Sequence, residues 1–179
     1  LTDRELASGT DRVEAALYVA DPDSRHDVIV NLQGDMPFVD PALVRRLVAL
    51  FRETPGLDMG TLVAPESSLA DRTNPDVVKA VVALPAGGSR GRALYFTRST
   101  LYGEGPVWRH IGLYGYSRAG LELMTAAPTP LERREKLEQL RALELGGDIW
   151  AAVVDAAPIS VDTPEDLAAA RRHAEATGA

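Results

Sequence analysis

The residue types best suited to chemistry gather around Asp35, in the run Val30-Asn31-Leu32-Gln33-Gly34-Asp35-Met36-Pro37. Residues 28–32 are apolar except for Asn31 and read as a buried strand of a parallel or mixed sheet. A carboxylate just past the carboxyl end of such a strand stands where open α/β sheets bind ligands. Gly34 lets the backbone approach a ligand closely, and Pro37 stiffens the exit. Mg²⁺ takes hard oxygen ligands, commonly one or two carboxylates plus substrate phosphates. Asp35 is therefore a candidate metal ligand, although taken alone it reads more plainly as a turn cap. Asp162 is the second candidate. It lies between Ile159 and Val161 on one side and Thr163 on the other, where a helix-start acid is the plain alternative.

Other chemistry-bearing groups stand in three places. Ser8-Gly9-Thr10 precedes an apolar stripe at Val13, Ala16, Leu17 and Ala20, so backbone N–H groups there could meet a phosphate or simply form a capped helix start. His110, Tyr114 and Tyr116 share parity and face one side of a strand. Together they could read a polyhydroxylated substrate, or His110 could be structural. Glu135, Glu138 and Arg141 lie at i, i+3 spacing, which on a helix means a solvated charged face with local ion pairs. His26, His173, Trp108 and Trp150 need no functional role. The chain contains no GxxxxGK[ST], GxGxxG, HExxH or GxSxG pattern.

The elements that must hold these groups alternate in type. The spacing predicts a helix near 10–20 with Thr10 as N-cap, and a helix from Asp40-Pro41 with Leu43, Val44, Leu47, Val48 and Phe51 inward. Strands are expected at 59–64, 111–116 and 149–154. A hairpin is expected from 77–84 and 93–98 around the turn-rich segment 85–92. A short helix follows at 119–126, and one charged helix spans 131–145, ending at Gly146-Gly147. Thr163-Pro164-Glu165-Asp166 opens the last helix. This order indicates one α/β domain over 1–179, with a mixed sheet.

Bulk properties narrow the partners. The chain has 179 residues, 45% hydrophobic and 25% charged, with a net charge of −7. That argues against general nucleic-acid binding, which wants a basic face, but not against an anionic small substrate met by a few local cations. No cysteine is present, so disulfides, thiol catalysis and Cys-based zinc sites are excluded. No run approaches the roughly 20 apolar residues of a membrane helix.

The order of the motifs is more specific than any one of them. The blocks Ser8-Gly9-Thr10-Asp11-Arg12, Val30-Asn31-Leu32-Gln33-Gly34-Asp35, Asn74-Pro75 with Val78-Lys79, and Ala93-Leu94-Tyr95-Phe96-Thr97-Arg98 come first. Arg109-His110-Ile111-Gly112-Leu113-Tyr114-Gly115-Tyr116, Leu137-Glu138-Gln139-Leu140-Arg141 and Val161-Asp162-Thr163-Pro164-Glu165-Asp166 follow. In this order the chain resembles the 3-deoxy-manno-octulosonate (Kdo) cytidylyltransferases, or CMP-Kdo synthetases. The resemblance implies a nucleotide-diphospho-sugar transferase fold, Rossmann-like with a mixed sheet, and a cytoplasmic homodimer. It also implies the reaction of CTP with Kdo to give CMP-Kdo and pyrophosphate, used in lipopolysaccharide biosynthesis. By the same resemblance Asp35 and Asp162 are catalytic and hold Mg²⁺. Ser8, Gly9, Arg12, Gln33 and Gly34 face the nucleotide, and Arg98, His110, Tyr114, Glu138 and Gln139 face the acidic sugar.

Three departures stand out. The family carries a basic, proline-containing loop after an earlier first strand, and this chain opens at Leu1-Thr2-Asp3-Arg4 without it. On that ground the chain reads as truncated at its amino terminus, lacking the first strands and the triphosphate-gripping part. Met36 stands where the family usually has Glu, and the loop between Arg98 and Arg109 is short. The alternatives are a cytidylyltransferase for another acidic sugar, or an inactive, dimer-forming fragment.

Overall fold

The structure is a computed structural model that describes residues 2–3, 5–6, 8–66, 68–103 and 105–178. The first helix, α1, spans Gly9–Ala20, and β1 spans Ile29–Asn31. They are followed by α2 (Pro41–Glu53), β2 (Met59–Glu66), α3 (Leu69–Thr73), β3 (Lys79–Ala83), β4 (Arg90–Thr97) and β5 (Val107–Tyr116). The chain continues through α4 (Arg118–Thr125), α5 (Pro130–Glu135), α6 (Leu140–Glu144), β6 (Ile149–Val153) and α7 (Pro164–Thr177).

Six strands form one sheet in the order β1-β5-β2-β6-β4-β3, with β3 also reaching β5. The sheet is mixed: β2 and β6 run parallel, and the other pairs are antiparallel. The β3–β4 hairpin forms as its turn chemistry predicts. Every residue from Met59 to Ala64 is buried, because β2 is covered on both faces. Successive side chains point oppositely. Met59 and Val63 join a core that includes Phe96, Tyr116, Leu121, Met124 and Leu140. Leu62 and Ala64 join Leu47, Leu50, Ile111 and Leu113 under α2. Glycine on the facing strands admits the α2 ring: a Cβ at Gly115 would lie 2.6 Å from Phe51 Cε2, and one at Gly60 2.8 Å.

Three sequence expectations are corrected. The N-cap of α1 is Ser8, in a reciprocal capping box with Asp11. Thr10 lies one residue inside the helix and is buried, because its side chain is needed against the sheet rather than at the helix end. The strand after α1 is three residues long, stands at the margin of the sheet and pairs with β5 in antiparallel fashion. Finally, the charged helix expected over 131–145 is broken into α5 and α6. Lys136 takes a left-handed conformation at φ 55°, and Leu137 turns inward. In one unbroken helix Glu132 and Arg141 would stand about 13.5 Å apart along the axis and on opposite faces. The break folds α6 back, and Arg141 grips Glu132 with two bonds of 2.6 and 2.7 Å. Short α3 is an element the sequence pattern does not suggest.

The turn from α1 to β1 is pinned by a buried carboxylate. Asp21 accepts the backbone N–H groups of Arg25 and His26, each at 2.9 Å. It also pairs with Arg118 at the start of α4. Burial pushes the Asp21 pKa up, but the hydrogen bonds from Arg25 and His26 outweigh it and hold the carboxyl at about 2, down from 3.8. A folded pKa below the unfolded one means the contribution is complete above about pH 4 and is lost as pH falls toward 2. Asp21→Asn should therefore lower Tm at pH 6, by a gap that narrows as pH falls from about 4 toward 2. A Tm gap that stays constant across that range would refute the assignment.

Candidate functional site

The loop after β1 and the start of α7 are joined by the backbone. Val161 N–H donates to the Asp35 carbonyl at 2.8 Å, so the backbone just before Asp162 lies against that of Asp35, from the other end of the chain. Asp35 is half-buried, and its Oδ1 is buried without a hydrogen-bond partner among the described residues. A buried carboxylate oxygen with no partner is costly and rare. Asp162 is exposed, and its carboxylate accepts the Ser160 hydroxyl at 3.0 Å. Among the described residues no three His, Asp or Glu side chains gather as a metal cage. An unpartnered carboxylate oxygen of this kind suits a hard divalent cation that also takes substrate oxygens. Phe38, three residues past Asp35, meets the ring of His173 on α7 edge-on, centroids 4.8 Å apart. That contact ties α7 to the loop a second time, through a histidine that stays exposed.

Next to this loop runs an aromatic row on β5. His110 and Tyr114 have ring centroids 5.5 Å apart, and Tyr114 stacks on Tyr116 at 6.2 Å. The shared parity of the three residues thus produces the single face expected. Phe96 closes the far end, edge-on to His110 at 4.9 Å. Burial holds the His110 pKa down to about 3, so the imidazole is neutral. Its Nε2 lies 3.0 Å from Thr61 Oγ1. The single Thr61 proton has the Ile111 and Leu113 carbonyls in reach, at 3.0 and 3.2 Å. His110 Nε2–H therefore donates to Thr61, and Nδ1 is left as an acceptor.

Burial raises the Tyr114 pKa well above its ordinary value, and Tyr116, Glu138 and Asp35 add to it. The phenol is a firm donor flanked by two carboxylates. Tyr116 is raised too, chiefly by burial, while the side chains of Thr10 and Asn31 beside its hydroxyl oppose the rise. These contacts lock α1, β1 and β5 together. Glu138, in the break between α5 and α6, has a buried Oε1 with no partner among the described residues. Gln139 is buried beside it.

Asp35, Asp162, His110, Tyr114 and Glu138 thus form one neighbourhood. The remaining predicted residues lie around it. Ser8 borders a 560 Å³ cleft with Asp11, Pro128, Lys136, Glu138 and Arg141. The Ser8 hydroxyl is engaged with Asp11 in the capping box. Gly9 opens α1 with free space where a Cβ would be. Arg12 donates to the carbonyls of Asp3 at 3.0 Å and Leu6 at 3.2 Å, folding the preceding chain over α1. Gln33 and Gly34 form the turn into Asp35, with Met36 N–H on the Gln33 carbonyl at 3.5 Å. Arg98 follows the end of β4 and donates to the Pro75 carbonyl at 3.1 Å.

Sequence reasoning missed Thr61, Asn31 and Lys79 as contributors to this region. A threonine inside the apolar run 59–64, and a buried-strand lysine at 79, were the available signals.

The family profile described as cytidylyltransferase matches residues 1–149. The 3-deoxy-manno-octulosonate cytidylyltransferase of Rhodospirillum centenum is 53% identical over 173 residues, covering 96% of this chain and 67% of the relative. That of Parvibaculum lavamentivorans is 55% identical over 174 residues, covering 96% and 66%. The chain thus spans about two thirds of the length of these relatives. Among solved structures, a CMP:2-keto-3-deoxy-manno-octonic acid synthetase complexed with CTP superposes with TM-score 0.85 at 32% identity, covering 98% of this chain and 71% of the other. A 4-diphosphocytidyl-2C-methyl-D-erythritol synthase from Anaerococcus prevotii shares the fold at TM-score 0.54 and 10% identity, covering 98% and 68%. The chain belongs to the cytidylyltransferase family, among the 3-deoxy-manno-octulosonate cytidylyltransferases.

Proposed function

We propose that the protein, as one cytidylyltransferase domain, transfers CMP from CTP to Kdo and releases pyrophosphate, with Mg²⁺ held by Asp35 and Asp162. The observation that carries the reading is the buried, unpartnered Asp35 Oδ1 beside the backbone bond that brings the segment of Asp162 alongside. Its neighbours suit an acidic, polyhydroxylated acceptor. The anomeric hydroxyl of the sugar attacks the α-phosphorus, the bond to the bridging oxygen breaks to release pyrophosphate, and the hydroxyl proton passes to solvent. The metal would neutralise charge on the phosphoryl oxygens. His110 Nδ1 accepts one sugar hydroxyl, Glu138 Oε1 another, and Tyr114 donates a third bond. Arg98 supplies the cation for the sugar carboxylate. Holding these partners in fixed orientation converts the encounter into an intramolecular step. Ser8, Gly9, Arg12, Gln33 and Gly34 form the nucleotide side.

The relatives' printed names support this substrate pair. The reading places the protein in the cytoplasm as a homodimer, with no nucleic-acid or membrane partner. Among the described residues, no helix is long and apolar enough to cross a membrane. The test is pyrophosphate release by the full gene product from CTP and Mg²⁺, with Kdo and a panel of other acidic sugars. Release that requires both Kdo and Mg²⁺ is expected. Turnover with a different acidic sugar in preference to Kdo would redirect the substrate, and no CTP consumption with any of them would sink the proposal.

A further inference from the structure

Lys79 opens β3, and none of its surface reaches solvent. An ammonium group in such a place is expensive unless it is held by hydrogen bonds. Its strand position is walled on both sides, by Thr97 of β4 and Arg109 of β5. Its Nζ donates to the Asn74 carbonyl at 2.6 Å and to the Arg98 carbonyl at 3.0 Å. The next carbonyl along, that of Pro75, accepts from the Arg98 guanidinium at 3.1 Å. Arg98 is therefore gripped twice: by Lys79 at its main chain, and by a turn that Lys79 itself holds at its side chain. One residue before Lys79, the Val78 carbonyl accepts the His110 N–H at 2.9 Å. The same corner of the sheet thus sets two of the groups assigned to the sugar. Burial lowers the Lys79 pKa, with Arg98 adding to this and Asp71 opposing. Two N–H donors for the two carbonyls remain in either protonation state.

We infer that Lys79 is a positioning residue for sugar recognition: it ties the end of β4 to the α3–β3 turn and so fixes where Arg98 presents its guanidinium to a sugar carboxylate. This rests on the acidic-sugar reading above.

The test compares Lys79→Met with the native full gene product, using Kdo and CTP as separate ligands in calorimetry. Kdo binding should weaken about tenfold, the size expected for losing a charged hydrogen bond's worth of positioning, while CTP binding stays unchanged. In parallel, phenylglyoxal labelling of Arg98, read by peptide mass spectrometry, should accelerate several-fold. Equal weakening of both ligands, or unchanged Arg98 labelling, overturns the positioning role. If the native protein binds no Kdo while labelling still accelerates, the substrate reading fails and the tie to Arg98 stands. Should Lys79→Met not fold, Lys79→Gln, which keeps one amide donor, is read by the same measurements.

Discussion

Asp35→Asn is expected to lower turnover by about three orders of magnitude while leaving the folded protein as stable as before or more so. The two effects have one cause. Asp35 Oδ1 is buried with no partner among the described residues, and Glu138 and Asp35 both lie close enough to Tyr114 to raise its pKa. Folding therefore leaves one carboxylate oxygen of Asp35 buried without a hydrogen bond, and such an atom costs stability in the absence of its ligand. An amide at that position is cheaper to bury, so Tm should hold or rise. Function moves the other way. A carboxylate that helps hold a divalent ion contributes several kcal/mol of transition-state charge stabilisation, and about 4 kcal/mol corresponds to roughly 10³ in rate. The measurement is pyrophosphate release at saturating CTP and Kdo across a Mg²⁺ titration, with thermal melts of both proteins. Turnover within tenfold of native, or a Tm drop of several degrees, would make Asp35 a turn cap after all.

Much of this arrangement was legible because it depends on local periodicity. Pro41 after Asp40, Pro164 after Thr163, and the turn-rich segment 85–92 specify their elements through short-range sterics and capping. The face shared by His110, Tyr114 and Tyr116 follows from the strand period alone. What stayed hidden depends on contacts between distant residues. The α5–α6 break is caused by Glu132 and Arg141 meeting across nine positions, which an i, i+3 reading treats as one continuous helix. Thr10 matters because Tyr116, over a hundred residues away, needs its side chain. Lys79 matters because β3 meets both β4 and β5 at its first residue. The proximity of Asp35 and Asp162 belongs to the same class. Each alone reads as a cap, and only motif order suggested a partner across the chain. The backbone bond between residues 161 and 35 shows that the two segments meet.

Arg141→Met should be the most destabilising single change outside the apolar core. Arg141 is buried and makes four hydrogen bonds: two to the Glu132 carboxylate, one to the Met124 carbonyl and one to the Ala126 carbonyl at 3.0 Å. Those acceptors lie on α5 and on the end and exit of α4, so one guanidinium fork holds three segments around the break. Burial pushes the Glu132 pKa up, but the bonds from Arg141 reverse this and bring it below its ordinary value. Removing the cation leaves a half-buried carboxylate with only the Thr129 N–H and strands two carbonyls, and breaking such a pair from one side costs roughly 3 kcal/mol. For a chain of this size that is a Tm loss on the order of 10 °C. Lysine cannot form the fork, so Arg141→Lys should recover only part of the loss. Adding Glu132→Leu to Arg141→Met should recover part of the loss, since the stranded charge is gone while the two carbonyls stay without a donor. Turnover should not return with it, because Glu138 and Gln139 sit in the break that the fork shapes. A double variant no more stable than the single one would show that the carbonyl contacts, rather than the ion pair, hold the break.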